Sequence, residues 1–404
     1  MTATRWRATW TGRLAGGVCA LTLLFPLAAM PFRGEADLEA VERVEQRTPS
    51  ELSVPRVDQV IDEDAWASFA AGLRDRVPFR VDVTRLVRAA DRGFLGKHRF
   101  GPVVRGDDGW LFFFESTGFR AVDVAVFERS IDALRIAASE RGTRILLLSA
   151  PDKSSVYPEL LGSAGPRYRA ALEDREAVRA FFRDPARPEL LDMWSVQDAA
   201  KAASGDQPIY ELTGTHHNWI GASAMARAVV ETLSPGLWDE SALRERKEAS
   251  FLLGLSRMAG FEGPEGRYVP IAVERDGVEV VAAFDLEGPV DVSGRIRSGP
   301  PNYKKPVRVI TAGTAERIPG RTLLLHDSFV DSYLLDVLWP YFEDVTYVHY
   351  HNLKPGDLYG ALDRFDTVIF ETVERGLWSW GNTLAPREPS DPPLDVRLGV
   401  DERP

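Results

Sequence analysis

"LLLHDSFVDS", residues 323–332, runs three leucines straight into His326, Asp327 and Ser328. A short apolar run bounded by polar residues predicts a buried strand that stops at a sharp turn. Such a turn would hold Ser328 exposed and at a fixed angle on the rim of a sheet, where a nucleophile would sit. A strand end capped by Asp and Ser gives the same letters without any chemistry, so the rest of the chain has to choose between them.

Similar apolar segments alternate with helical patterns on both sides. Upstream, "VFERSIDALRIAASERG" (126–142) predicts an amphipathic helix with Gly142 as its C-cap. "TRILLLSAPDKSSVYPELL" (143–161) then supplies a buried strand and a loop, and "REAVRAFFRDPARPELLDMWSVQDAA" (175–200) a second helix-to-strand unit. "THHNWIGASAMARAVVETL" (215–233) reads as a loop opening a helix. Downstream come a helix around "VDSYLLDVLWPYF", the strand "DVTYVHY", the helix "LKPGDLYGALDRF" and the strand "DTVIFETVERGLW". Apolar strands alternating with helices predict an α/β fold with a largely parallel sheet. In such sheets ligands bind beyond the carboxyl ends of the strands, and the loops after Leu148, Leu325, Tyr350 and Phe370 all fall at such ends.

Earlier in the chain, "VVRGDDGWLFF" (103–113) predicts a hairpin turning at Gly106–Gly109. Trp66, Phe69, Leu73 and Val77 recur at helical spacing, and Val83, Leu86 and Val87 continue the pattern beyond Pro78, which predicts two helices. Residues 33–58 are charged and contain Pro49 and Pro55, as a linker would. Residues 250–306 predict a smaller β-rich insertion, and residues 382–404, rich in proline, a flexible tail. The core domain is therefore expected over 59–381.

The 404 residues are 44% hydrophobic and 27% charged, the composition of a folded globular chain. A net charge of -11 gives no overall attraction to nucleic acid. The single cysteine, Cys19, excludes an internal disulfide framework and a cysteine-based zinc site. Arg5, Arg7 and Arg13 precede "LAGGVCALTLLFPLAAMPF" (14–32), which carries no charge over 19 positions. That length matches a bilayer core, which takes roughly 20 residues. The preceding arginines favour an N-terminus kept in the cytoplasm and an exported remainder. Residues 1–32 are therefore expected to be a membrane anchor, with a cleaved signal peptide as the rival reading, and the functional part is expected outside the cytoplasmic membrane.

Five of the six histidines fall in two places: His216 and His217 in "TGTHHNW", and His326, His349 and His351 around the Ser328 stretch. Imidazole takes and returns a proton near neutral pH, and a serine hydroxyl needs such a base within hydrogen-bond reach. A zinc site built from His216, His217, His349 and His351 is a further reading, weakened because His-x-His on a strand lacks helical partner spacing.

On these residues the chain resembles the SGNH-hydrolase-like alginate O-acetyltransferases of bacterial exopolysaccharide export. "GDDGWLFF" resembles the family's Gly-x-x-Gly-Trp-Leu-Phe hairpin, and "APDKSSVYPE" its Pro-Asp-Lys…Tyr-Pro-Glu loop. "GTHHNWIGA" is similar to its Asp-Thr-His-Trp-Asn-x-x-Gly-Ala segment, "HDSF" to its Gly-Asp-Ser-Phe nucleophile turn, and "DTVIFETVERGLW" to its closing Val-Glu-Arg strand. Five motifs in order carry the resemblance, from about residue 40 to 380. It implies an acetyl-transfer enzyme acting on polysaccharide hydroxyls, with Ser328 as nucleophile and His216 as its base, no cofactor, and a multispanning membrane acyltransferase as the candidate acetyl donor. The backbone N–H of Ser328 is a candidate oxyanion donor. Lys153 and Arg375 match family positions, where a structural ion pair is the competing role.

Two departures stand out. Gly214 occupies the position of the family's aspartate, two residues before the histidine, and glycine cannot orient an imidazole; the loss of that carboxylate in a serine protease costs about 10⁴-fold in rate. Asp327, Glu371 and Glu374 are the candidate replacements. His217 stands where the family has Trp, with Trp219 two places later, and a space-filling role suits it. The same features fit two alternatives: a glycan acetylesterase, or a catalytically weak carbohydrate-binding or scaffold subunit of an export complex. Trp110, Trp219, Trp339 and Trp378 are candidate sugar-stacking rings, though tryptophan more often fills a core.

Overall fold

The computed structural model describes residues 49–55, 62–76, 99–245, 249–251, 254–259, 266–268, 271–285, 288–289, 306–330 and 334–389, together with the single positions 38 and 394. The expected anchor at 14–32 and the second lead-in helix around Val83–Val87 lie outside the described residues. Among the described residues no helix is long and apolar enough to cross a membrane.

The chain divides into two units, Met1–Gly101 with Arg257–Phe261, and Pro102–Ser256 with Glu262–Pro404. In the first, the spacing of Trp66, Phe69 and Leu73 yields a helix, Glu63–Asp75, opened by Asp62, whose carboxylate accepts the Ala65 N–H at 3.2 Å.

Among the described residues the second unit is built on an eight-stranded sheet. In chain order its strands are β1 (Arg144–Ala150), β2 (Leu190–Leu191), β3 (Val278–Asp285), β4 (Gly288–Pro289), β5 (Val307–Gly313), β6 (Ile318–His326), β7 (Phe342–His349) and β8 (Thr367–Val373). Their order across the sheet is β4-β3-β5-β7-β6-β8-β1-β2. From β7 to β2 neighbouring strands are parallel, and from β4 to β7 they are antiparallel. The fold is mixed α/β, as the alternation predicted. The strand β3 lies within the stretch read as a β-rich insertion, and it hydrogen-bonds along β5 as part of the main sheet.

The parallel strands are buried on both faces, so they read as continuous apolar runs. Leu324 packs into one apolar cluster with Phe329, Tyr210 and Met225, whereas Leu323 and Leu325 pack into another with Phe127, Leu134 and Trp380. That split is the two-residue alternation of a strand. Leu384 and Leu394, within the segment 382–404 expected to be a flexible tail, also belong to the second cluster.

Helix α1 (Val124–Arg141) ends as expected at Gly142, which takes the left-handed φ of 72° that a side chain disfavours. Helix α2 (Trp219–Leu233) is opened by Asn218, whose side-chain oxygen accepts the Ile220 N–H at 2.9 Å. Gly221 in its first turn is a close-approach position: a Cβ there would stand 2.6 Å from the Ile209 carbonyl and 2.8 Å from the His217 Cβ. The start of α2 is thereby seated against the loop that carries the two histidines. The hairpin forms as predicted between Val103–Arg105 and Leu111–Phe113.

Candidate active site

Four parallel strands end on the same rim. β6 pairs His326 with His349 at the end of β7, and β8 pairs Val373 with Ala150 at the end of β1. Beyond these ends lie Asp327 and Ser328, Glu374 and Arg375, and Asp152 and Lys153.

Asp327 pins the turn after β6. One carboxylate oxygen accepts the Phe329 N–H at 2.8 Å and the other the Val373 N–H at 2.8 Å, while its own N–H donates to Glu371 Oε2 at 3.1 Å. The turn is thus tied to the end of β8, and a helical turn opens at Ser328. The strand stops where it does because a short acidic side chain replaces the ladder with these local bonds. Asp327 is buried and used up by the backbone, so it does not orient the histidine.

The second half of the site is the loop before α2. It folds back on itself through a bridge between Tyr210 and His217 and a hydrogen bond from the Glu211 N–H to the His216 carbonyl at 3.1 Å. His216 Nε2 lies 2.9 Å from Ser328 Oγ, and its Nδ1 lies 3.3 Å from the Thr215 hydroxyl. Both His216 and Ser328 retain partial solvent access. His217 is fully buried, and the Phe329 ring meets His216 and His217 edge-on with centroids 4.9 and 5.2 Å away. Burial, the neighbouring His217 and the Arg375 charge push the His216 imidazole down to about 3; burial does the same to His217. A neutral His216 that accepts the Ser328 proton at Nε2 carries its own hydrogen on Nδ1, toward Thr215.

Among the described residues no carboxylate lies within hydrogen-bond distance of His216. Glu371 Oε2 is engaged by Asp327, and Glu374 bonds to Arg175 at 2.5 Å and to the Asp152 N–H at 3.0 Å. The Thr215 hydroxyl therefore stands where a triad carboxylate would act.

The remaining charges form a buried rim. Arg175 and Glu374 pair with side-chain exposures of 0% and 1%, and Arg175 also donates to the carbonyl of Ser116 at 2.8 Å. Arg375 is paired with Asp152 and lies beside the Phe329 ring, at 5.7 Å from its centroid. Burial pushes Asp152 up to about 6 against the pull of Arg375. Lys153 donates to the carbonyls of Glu211, Leu212 and Gly214 at 2.6, 2.8 and 2.9 Å. Burial drives its pKa well below the ordinary lysine range. Of these, Thr215, Arg175 and Asp152 were not singled out from the sequence. Thr215 is adjacent to His216 in the quoted motif, whereas Arg175 stands between Asp174 and Glu176, where a charged run reads as a solvated face.

No group of three or more His, Cys, Asp or Glu among the described residues is placed to hold a metal. His349 meets His326 edge-on at 5.6 Å between ring centroids, and the side chain of His351 lies outside the described part. Trp110 is buried; Trp378 is 44% exposed, with Arg120 3.6 Å over its ring.

Residues 103–263 match the family of the SGNH hydrolase-like domain, acetyltransferase AlgX. The resemblance to SGNH-hydrolase-like O-acetyltransferases is thus shown over the segment that carries Lys153 and His216. Among solved structures, a DHHW family protein from Eubacterium siraeum is 14% identical with a TM-score of 0.49, covering 70% of this chain and 96% of that one. The O-acetyltransferase domain of Pseudomonas putida AlgJ is 18% identical with a TM-score of 0.44, covering 70% and 98%. Bacillus cereus PatB1, solved with a sulfonyl adduct, is 14% identical with a TM-score of 0.49, covering 68% and 97%. No curated protein matches the chain in sequence.

Proposed function

We propose that this protein is an extracytoplasmic O-acetyltransferase that moves acetyl groups onto polysaccharide hydroxyls through an acetyl-serine intermediate. The observation that carries the reading is the 2.9 Å contact between Ser328 Oγ and His216 Nε2 at the carboxyl rim of a parallel sheet. In the first half-reaction Ser328 Oγ attacks the donor's acetyl carbonyl while His216 Nε2 takes the hydroxyl proton. The tetrahedral oxyanion is met by the Ser328 backbone N–H. Its collapse expels the donor's oxygen, which receives the proton from His216 and leaves Ser328 acetylated. In the second half-reaction a sugar hydroxyl gives its proton to His216 and attacks the acetyl-serine, and the proton returns to Ser328 Oγ. Water in place of the sugar makes the same pair an acetylesterase. A membrane anchor at residues 1–32 and a multispanning acyltransferase as acetyl donor complete the proposal.

The absence of a carboxylate beside His216 among the described residues favours a second reading, a carbohydrate-binding or scaffold subunit with weak catalysis. Hydrolysis of p-nitrophenyl acetate by the wild type and by Ser328→Ala separates the two. A rate lost in the variant supports the enzyme; equal background rates in both proteins leave the scaffold.

A further inference from the structure

Three segments that stand apart in the sequence, "GDDGWLFF", "APDK" and "ELTGTH", converge on one ammonium group. Lys153 Nζ lies 4.9 Å from the Trp110 ring centroid and 5.3 Å from that of Phe112, both on the hairpin. The hairpin is also joined to the histidine loop directly, by the Leu111 N–H donating to the Leu212 carbonyl at 3.1 Å. An ammonium has three N–H donors, and Lys153 spends all three on the carbonyls of Glu211, Leu212 and Gly214. Among the described residues no carboxylate is bonded to it, although the residue is 3% exposed. Burial outweighs the favourable charge of Glu211, and a buried charge with no bonded counter-ion is costly, so a purely structural role would be filled more cheaply by an apolar side chain.

What the ammonium grips is the backbone immediately before Thr215 and His216. We infer that Lys153 is the positioning residue for His216. It fixes the loop, and through the loop the distance from Nε2 to Ser328 Oγ, where a carboxylate at position 214 would have held the ring itself. The inference rests on the acyl-transfer reading for its kinetic consequence but not for its structural one. A misplacement of about 1 Å in a reacting pair costs on the order of 10²-fold in rate.

The test uses the full chain with Lys153→Met, which keeps the stem and removes the donors. Two quantities are read: kcat and KM for p-nitrophenyl acetate, and the titration of the His216 ring by nitrogen-15 NMR, its signal assigned by loss in His216→Gln. In the folded variant kcat should fall about 10²-fold with KM within about threefold. The imidazole should titrate closer to its ordinary value as water reaches the loosened loop. A folded variant in which either readout is unchanged overturns the inference, whatever its loss of stability. If Lys153→Met does not fold, Lys153→Gln, which keeps two donor hydrogens without the charge, is read by the same criteria. If the wild type shows no turnover that Ser328→Ala abolishes, the acyl-transfer reading fails by itself. The NMR titration then decides the clamp alone: it stands if the titration moves and falls if it does not.

Discussion

Ser328 Oγ and His216 Nε2 stand 2.9 Å apart although 112 residues separate them in the chain. Neither is held by the other. Ser328 is set by the turn that Asp327 ties to β8, and His216 by a loop that Lys153 grips and Gly221 lets pack against α2. Two independently fixed backbones that deliver a hydroxyl to an imidazole form a preorganised pair, in which little has to be ordered when an acyl group arrives.

Removal of either partner should then cost as much as removal of both. Ser328→Ala and His216→Gln are each expected to lower kcat at least ~10²-fold, the range for loss of a general base or its nucleophile. The double variant should be no slower than the slower single one. Multiplicative losses in p-nitrophenyl acetate hydrolysis would mean that the two groups act separately.

A carboxylate restored at position 214 should improve the base. Gly214→Asp would stabilise the imidazolium that forms as Ser328 gives up its proton, which the Arg375 charge now opposes. The expected outcome is a His216 pKa raised from about 3 and a kcat about 10-fold or more above wild type. A His216 titration that stays where it is, read by NMR in the folded variant, contradicts this.

Much of the fold was legible because the parallel strands are buried on both faces, so β1, β6 and β8 each hold an unbroken apolar run of at least three residues, Ile145–Leu148, Leu323–Leu325 and Val368–Phe370. β5 was not, because "VRVITAG" interrupts the pattern with Arg308 and Thr311. Both are buried and satisfied by neighbours that no local window contains: Arg308 by Asp344 at 2.9 and 2.6 Å, and Thr311 by the Phe342 carbonyl. The site divides the same way. Ser328 and His216 could be named from residue type and motif. The grip of Lys153 could not, because its partners are backbone carbonyls, which every residue carries. Arg175 was passed over because a sequence reading sends arginine to solvent, whereas here it is buried against Glu374.

Stability should fall as the solution is made acid, from below pH 6.5. The native pKa values of His216 and His217, about 3, lie under the ordinary 6.5. Between those limits the unfolded chain binds protons that the native state refuses, so stability rises with pH, by about 1.4 kcal/mol per pH unit for each histidine. Asp152 acts in the opposite sense between 3.8 and about 6, since the native carboxyl keeps a proton that the unfolded one has lost. Two terms against one leave a net fall in stability on going from pH 6 to pH 4, on the order of 1 kcal/mol per pH unit. Urea midpoints that do not fall over this range would show that the histidines are not desolvated in solution.

The buried pair behind the rim should be the most sensitive point for stability. Arg175 and Glu374 are closed off from solvent, at 2.5 Å from one another, so neither charge has water to fall back on. Glu374→Gln leaves the guanidinium uncompensated and is expected to cost about 3–5 kcal/mol in urea denaturation. Arg175→Met should cost a similar amount, since it strands the Glu374 carboxylate and removes the donors to the Ser155 hydroxyl and the Ser116 carbonyl. In the double variant Arg175→Met, Glu374→Gln no charge of the pair is left unpaired, so its loss should be smaller than the sum of the two. Additive losses would mean that the carbonyl contacts of Arg175, rather than the ion pair, hold the end of β8 in place.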